Sequence, residues 1–453
     1  MVNPLFFIDN SPKNIGDLSE IEISALNIIA NKTVGELINC NDNLLVYSSN
    51  KKDKIEEQTV FNLNSPNQLI TTNLVGFIDV NDVKINIGSR FSVVDGKQYF
   101  IQYMLQKIHK LNLFDFQTTH DNSNIWEQLL YLIFPIFLKK AYNQGIFKVY
   151  QRRQYNDSKL KGRIDIAQHI RQNLPFIGNI AYSNKELSMN NPIIQLIRHT
   201  IEFITTKGFS SVFYNDYIIN NAVQTIKTIT PNYNIKDRQK LLLKNYRRLN
   251  HPFFTEYEPL RKLCIQILNY DGLSFNNNQN KVYGLLIDAA WLWEEYLNSI
   301  LKDLNFTHPE NKTGEGVLKL FEKYRDLYPD FYNRERSMVI DAKYKRFKND
   351  EASREDIYQV VTYMYRLKAE YGVLLYPSEF ENKPSINKMN IESYGGEGAL
   401  FIKYGIKVPA ETAMYKDYTI CFKESEIGLR NYFEYETFKK IKTATTQAIK
   451  EWQ

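Results

Sequence analysis

The sequence predicts a multidomain α+β protein: a β-rich N-terminal part, a mainly helical middle and an α/β C-terminal part. Three observations predict it. The chain has 453 residues, more than a single hydrophobic core commonly serves. Alternating apolar residues mark a hairpin near the N-terminus, and apolar residues at steps of three and four mark helices in the middle. From residue 276 onward, helical and strand-like runs alternate.

Residues 1–112 form the β-rich part. Asn73 to Val80 and Asp82 to Gly88 read as a hairpin turning near Asn81, with Val83, Ile85 and Ile87 alternating with polar residues. A helix from Gln98 to about Leu111 follows. Residues 113–275 read mostly as helix. Trp126 to Tyr142 is apolar, with a kink expected at Pro135. Asn191-Pro192 starts a helix as cap and first turn, Ile194, Ile197, Ile201 and Ile204 share one face, and Gly208 stops it. Thr230 to Asp237 reads as a loop, and Tyr257 to Leu268 as a helix. In residues 276–453 the expected order is a helix over Leu285 to Leu304 and a strand over Met338 to Tyr344. A helix over Glu355 to Ala369 and a strand from Tyr371 ended by Pro377 follow. Beyond that, Gly395-Gly396 and Gly398 separate strand-like runs, and the chain closes on a basic helix.

Composition narrows the class. Hydrophobic residues make up 43%, ample for a core and unlike a disordered chain. A net charge of +6 suits a polyanion partner without requiring one. The cysteines, Cys40, Cys264 and Cys421, lie far apart and form no disulfide framework, so a reducing cytoplasm is expected. Met1 to Asn10 lacks a basic n-region, and no run of about 18 apolar residues exists, so neither secretion nor a membrane is expected. No G-x-x-x-x-G-K-[ST] loop is present, nor a G-x-S-x-G. The histidines at 109, 120, 169, 199, 251 and 308 form no short metal-ligand pair.

The chemistry concentrates at Asp341-Ala342-Lys343. Residues two apart on a strand share a face, so Asp341 and Lys343 point together. A carboxylate that holds Mg²⁺ beside an ammonium that positions water or offsets charge suits phosphodiester hydrolysis. The spacing alone decides nothing. It recurs at Asp82-Lys84, Asp95-Lys97 and Asp157-Lys159, where a solvated surface pair is the plain explanation. Asp341 differs because it ends the apolar run Met338-Val339-Ile340. Eleven residues upstream (341 − 330) lies Asp330, in the only Pro-Asp of the chain. That spacing fits two antiparallel strands joined through Tyr332 to Arg336, which brings both carboxylates onto one metal. Gln359 and Tyr363, four apart on the following helix, either support the lysine or contact the DNA backbone. Glu294 is the third acid, with the neighbouring Glu295 as its rival.

In this order Glu294, Pro329-Asp330, Asp341-Ala342-Lys343, Gln359 and Tyr363 resemble the PD-(D/E)xK nuclease superfamily. A second resemblance is more specific. Leu160-Lys161-Gly162-Arg163-Ile164-Asp165, followed by Lys185-Glu186-Leu187-Ser188-Met189-Asn190-Asn191-Pro192, is similar to the middle of McrC-family proteins. Asp341 to Lys345 and Asp356 to Gln359 continue the likeness, and Ile87-Gly88-Ser89-Arg90-Phe91 resembles LlaJI-type relatives. The resemblance spans roughly residues 70 to 376.

It implies catalytic residues Asp330, Asp341, Lys343, Glu294 and Gln359, with Mg²⁺ held by Asp330 and Asp341. It also implies a partner, an McrB-like AAA+ GTPase hexamer that supplies the GTP dependence, and double-stranded DNA as substrate. In that family N-terminal regions dock on the ring and C-terminal regions cut. Arg152, Arg153, Lys161 and Arg163 lie in a basic stretch that would supply sequence-independent DNA affinity or a docking face, with Tyr363 a further DNA-binding candidate. Gly162 would let a backbone approach closely, and Glu186, Asn190 and Asn191 would organise a helix start. Two other functions fit the same features: an inert adaptor that activates the ring, and a stand-alone repair nuclease.

Overall fold

The computed structural model describes residues 4–40, 44–47, 54–65, 67–81, 83–92, 97–108, 125–214, 216–269, 282–309, 318–322, 324–347, 352–380, 385–388, 399–411 and 414–434. The glycines 395, 396 and 398 and the basic C-terminal segment lie outside them. Contacts divide the chain into two compact units. One joins residues 1–129 to 276–453, and the other is residues 130–275. Helices and sheets occur in both.

The first unit holds two five-stranded sheets. In one, the order is Leu5–Ile8, Val83–Gly88, Leu74–Val80, Val282–Asp288 and Leu44–Tyr47. The expected hairpin forms, with Asn81 at φ +47° in its turn, a conformation asparagine tolerates better than most residues. The fourth strand comes from far along the chain. Val282–Asp288 runs antiparallel to Leu74–Val80 and parallel to Leu44–Tyr47. A helix was expected to begin at Leu285, but Leu285-Leu286-Ile287 is strand. A short apolar run has no period to separate the two states, and here both strand edges find partners. Two glycines permit the fit. A Cβ on Gly76 would lie 1.9 Å from the Leu285 carbonyl oxygen, and one on Gly284 would lie 2.3 Å from that of Phe77. The inserted strand ends at Asp288, whose carboxylate accepts the N–H groups of Ala290 and Trp291 and starts the helix Ala289–Leu301.

The second sheet has the order Phe331–Asn333, Met338–Ala342, Tyr371–Ser378, Leu400–Lys407 and Ser385–Lys388. Its three central strands are parallel. Helix Arg354–Leu367 connects the first two and packs on Gly372, where a Cβ would meet the Met364 sulfur at 2.3 Å. The strand from Tyr371 passes through Pro377 to Ser378. The neighbouring strand has already ended at Ala342, opposite Leu375, so the missing N–H of Pro377 points past that ladder.

Two polar contacts tie residues 1–92 to the segment that follows strand Met338–Ala342, the Ser89 hydroxyl with that of Tyr344 and the Arg346 guanidinium donating to the Arg90 carbonyl. Ser89 Oγ and the Tyr344 hydroxyl are 2.7 Å apart. Beside them, Arg90 donates to Asp9 through Nε at 3.0 Å and through the terminal nitrogen at 2.6 Å, and also to Asn73. Asp9 is 0% exposed and Arg90 5%, so both ions are out of water.

The second unit adds a sheet to the expected helices. Helices Pro192–Thr206, Tyr217–Ile229, Arg238–Lys244 and Tyr257–Asn269 are joined by an antiparallel sheet of Val149–Asp157, Ile180–Ser188 and Arg163–Ile164. The strand Val149–Asp157 is mostly polar and solvent-facing, so it carries no apolar alternation to read. Gly162 does allow a close approach, but to this sheet: a Cβ there would sit 2.4 Å from the Ser183 carbonyl oxygen. Asn191 caps its helix as expected, accepting from the Ile194 N–H, and Asn190 bonds Gln195. Glu186 instead accepts a hydrogen bond from the Tyr155 hydroxyl at 2.7 Å. The helix Ile125–Asn143 runs without interruption through Pro135.

Asp9→Ala would leave the buried Arg90 guanidinium with the Asn73 oxygen but no countercharge. It is expected to cost about 3–5 kcal/mol in urea unfolding, and Arg90→Met added to it should return most of that. A double variant less stable than Asp9→Ala would contradict the account.

Candidate active site

The two aspartates meet because of strand register. Phe331 pairs with Ile340, which places Asp330 opposite Asp341 at the open end of the ladder. The turn lies at residues 334–337, with Ser337 at φ +48°, one residue later than the polar run suggested. Asp330 is half-buried, and its Oδ2 accepts the Ala342 N–H at 2.7 Å. Asp341 is 1% exposed.

Lys343 follows on the same face. Its ammonium lies 2.8 Å from Asp341 Oδ2 and donates to Gln359 Oε1 at 2.8 Å. Asp341 Oδ2 has that ion pair but no hydrogen bond of good direction. Gln359 in turn is fixed by a relay. Its amide nitrogen donates to the Tyr363 hydroxyl at 2.7 Å, and that hydroxyl donates to the Tyr328 carbonyl at 3.1 Å. Tyr363 is 3% exposed with its hydroxyl engaged, so it braces the lysine from inside the protein. The helix that carries both starts at Ser353, whose hydroxyl accepts the Asp356 N–H, and Asp356 also pairs with Lys345.

Both candidates for the third acid lie on the helix Ala289–Leu301. The negative charge of Glu294 acts on Asp330, whereas that of Glu295 reaches Tyr47. Both are held near His308, whose Nε2 lies 3.6 Å from Glu294 Oε1 and 3.9 Å from Glu295 Oε1. The other ring nitrogen, Nδ1, donates to the Asp330 carbonyl at 2.7 Å, and the ring stacks on Phe331 with centroids 4.7 Å apart. Sequence reasoning missed His308. It sits 22 residues before Asp330 (330 − 308), and no spacing rule links the two.

The electrostatics are those of crowded carboxylates. Burial, then the charges of Glu294 and Asp341, push the Asp330 carboxyl well above the usual carboxylate range. Burial also pushes Asp341 up, against the pull of Lys343. For Lys343, burial opposes the charge, but Asp341, Asp330 and Asp356 together hold the ammonium above its ordinary pKa. A divalent cation at the aspartate pair would relieve this repulsion. The donors are hard oxygens, the kind Mg²⁺ takes. Among the described residues, no group of three or more His, Cys, Asp or Glu encloses an ion by itself. Two carboxylates completed by water and phosphate oxygens is nonetheless the usual way Mg²⁺ is held.

The basic residues lie in the second unit and are exposed. Arg152 and Arg153 are on strand Val149–Asp157, where Arg152 Nε donates to Ser183 Oγ at 2.9 Å. Arg163 is on the short strand paired with Ser183, and Lys161 precedes it.

A family model described as McrBC 5-methylcytosine restriction system component matches residues 69–377. No curated protein matches the chain. Two solved structures from Thermococcus gammatolerans are similar. One is a half-complex from the tetradecameric assembly of McrB AAA+ hexamers with bound McrC, at 13% identity and TM-score 0.49, covering 93% of this chain and 100% of that one. The other is the McrBC complex, at 14% identity and TM-score 0.33, covering 66% and 87%. No helix among the described residues is long and apolar enough to cross a membrane.

Asp330→Asn keeps an acceptor for the Ala342 N–H and removes one of the clustered charges. Folding raises this carboxyl's pKa, so its ionised form opposes folding at neutral pH. The variant is therefore expected to be more stable than wild type by on the order of 1 kcal/mol in metal-free buffer. A lower melting midpoint with chelator present would show that the charge supports the fold.

Proposed function

The chain belongs to the McrBC family of 5-methylcytosine restriction system components, and on that premise we propose that it is the DNA-cleaving, McrC-like subunit of a GTP-dependent restriction complex. The observation that carries this is the meeting of Asp330, Asp341 and Lys343 at one strand end, with the lysine fixed by Gln359. The C-terminal part would then be a PD-(D/E)xK nuclease domain, acting on double-stranded DNA in the cytoplasm.

Each side chain has a task in that function. Asp330 and Asp341 would hold Mg²⁺. The ion, when bound, supplies a Lewis acid for the phosphoryl oxygens and a more acidic water. Lys343 offers its ammonium to the attacking water or to charge that develops on the phosphate. Gln359 and Tyr363 restrict where that ammonium can be, which matters because misplacement by about 1 Å can cost on the order of 10²-fold in rate. Glu294 adds negative charge beside Asp330 and so strengthens the attraction for a cation. The sequence has no P-loop, so GTP would be bound and hydrolysed by an McrB-like AAA+ hexamer on which this chain docks. Arg152, Arg153, Lys161 and Arg163 would hold DNA phosphates.

Asp341→Ala is expected to abolish cleavage by the full complex with Mg²⁺ and GTP, and Lys343→Ala to lower the rate by about 10²–10³-fold. Both should leave stimulation of the partner's GTPase intact. Cleavage that survives Asp341→Ala would overturn the site. Cleavage by the wild-type chain without any partner would favour a stand-alone nuclease, and absence of cleavage on methylated and unmethylated DNA alike would favour an inert adaptor. In DNA binding by the complex, alanine at any one of Arg152, Arg153, Lys161 or Arg163 should reduce the slope of log K against log salt by about 1. An unchanged slope for all four would remove them from the DNA interface.

A further inference from the structure

Lys345 has no task in the cleavage scheme above, yet it stands beside Lys343 on the same helix. We propose that the Lys345 ammonium is a second phosphate contact, holding the phosphate next to the scissile one on the same DNA strand. This deepens the nuclease assignment and rests on it.

The chain alternates through these residues. Tyr344 turns to one side, where its hydroxyl meets Ser89 and its ring lies 5.2 Å from that of Phe91. Lys343 and Lys345 both turn to helix Arg354–Leu367, one to Gln359 and the other to Asp356. Those acceptors are three residues apart, so they are neighbours on one helix face, with about 5–6 Å between Cβ atoms. Two residues of extended chain likewise span about 6–7 Å. Both measures space the ammonium groups much as neighbouring phosphates are spaced along one strand of DNA. The line from Lys343 to Lys345 also runs toward the start of the helix. That start follows the end of strand Met338–Ala342, at the carboxyl edge of the parallel strands, where open α/β sheets bind their ligands.

Lys345 is held as a fixed charge at the surface. Its side chain is 35% exposed, while that of Asp356 is only 7% exposed. Asp356 is itself fixed by Ser353, whose hydroxyl donates to Oδ2 at 2.8 Å and accepts the Asp356 N–H at 3.2 Å. The ammonium also stands 5.3 Å from the centroid of the Phe347 ring. An ammonium has three N–H groups, so one carboxylate does not exhaust it, and the exposed flank leaves room for a phosphate oxygen. A free surface lysine loses rotamer freedom when it binds. This one has already lost it to Asp356 and Phe347.

The test is single-turnover cleavage by the full complex with Mg²⁺ and GTP, over a series of complex and salt concentrations. The substrate is a short duplex on which the wild-type cut has been mapped. A neutral methylphosphonate replaces the phosphate on either side of the cut in turn. Lys345→Gln alone leaves Asp356 buried without its countercharge, so the informative variant is Lys345→Gln/Asp356→Asn, which removes both charges together. In that variant the half-saturating concentration is expected to rise about tenfold, the rate at saturation to stay within about threefold, and the slope of log affinity against log salt to shrink by about 1. One of the two methylphosphonates should weaken wild type by a similar factor and leave the double variant unaffected. A double variant that melts and binds like wild type would reduce Lys345 to the countercharge of Asp356 and overturn the proposal. A loss confined to the rate at saturation would overturn it too. The methylphosphonate comparison needs no variant to fold: a wild type indifferent to both replacements would by itself sink the idea. Cleavage that survives Asp341→Ala, or none by wild type, is instead failure of the nuclease reading, and the proposal falls with it.

Discussion

The first unit depends on one inserted strand. Val282–Asp288 fills the slot between Leu74–Val80 and Leu44–Tyr47, and it is hydrogen-bonded along both edges. The slot is tight enough that Gly76 and Gly284 have no room for a Cβ. Its last residue, Asp288, caps the helix that carries Glu294. The N-terminal strands thus set the start and direction of the helix that carries Glu294 and Glu295. Farther along, Tyr296 on that helix donates to the buried Glu426 at 3.1 Å, and Tyr103 and Lys107 reach the same carboxylate. The helix is pinned at its cap and again at Tyr296, just past Glu294.

At the site itself, geometry and electrostatics oppose each other. Register forces Asp330 and Asp341 together, and the burial of Asp341 withholds water that would screen the pair. Lys343 places its ammonium against Asp341, and His308 stands beside Glu294 and Glu295. A fold designed only for stability would not retain this cluster, because apolar residues of similar volume commonly serve as well or better. The arrangement makes sense as a place prepared for a cation, where the repulsion is spent on binding.

Legibility followed the length of each signal. The hairpin at 74–88 and the helix from Pro192 were readable because their apolar residues repeat over many positions. The pairing of Asp330 with Asp341 was readable because a short hairpin fixes register from spacing alone. The polar strand Val149–Asp157 was not, since its ladder is made by backbone groups that every residue has. Nor was Leu285 to Asp288, whose strand state is decided by neighbours some 200 residues away in sequence. His308 needed the fold, because it is tied to Asp330 through a backbone carbonyl, which no side-chain pattern records.

The inserted strand also bears on how docking and cutting can be told apart. If residues 1–112 were a detachable docking module, deleting them would leave the rest folded. They supply four of the five strands in the first sheet, Leu5–Ile8, Leu44–Tyr47, Leu74–Val80 and Val83–Gly88. The deletion would leave Val282–Asp288 without a ladder on either edge and expose the Leu285, Leu286 and Ile287 side chains, all 0% exposed in the intact chain. It would also remove Ser89 and Arg90 from Tyr344, next to Lys343, and Tyr103 and Lys107 from Glu426. Such a truncation damages the candidate site through the sheet, whatever the N-terminal part does with a partner. Residues 1–112 and the candidate site share one core, so single surface substitutions, not domain deletions, are the changes able to separate the roles proposed for them.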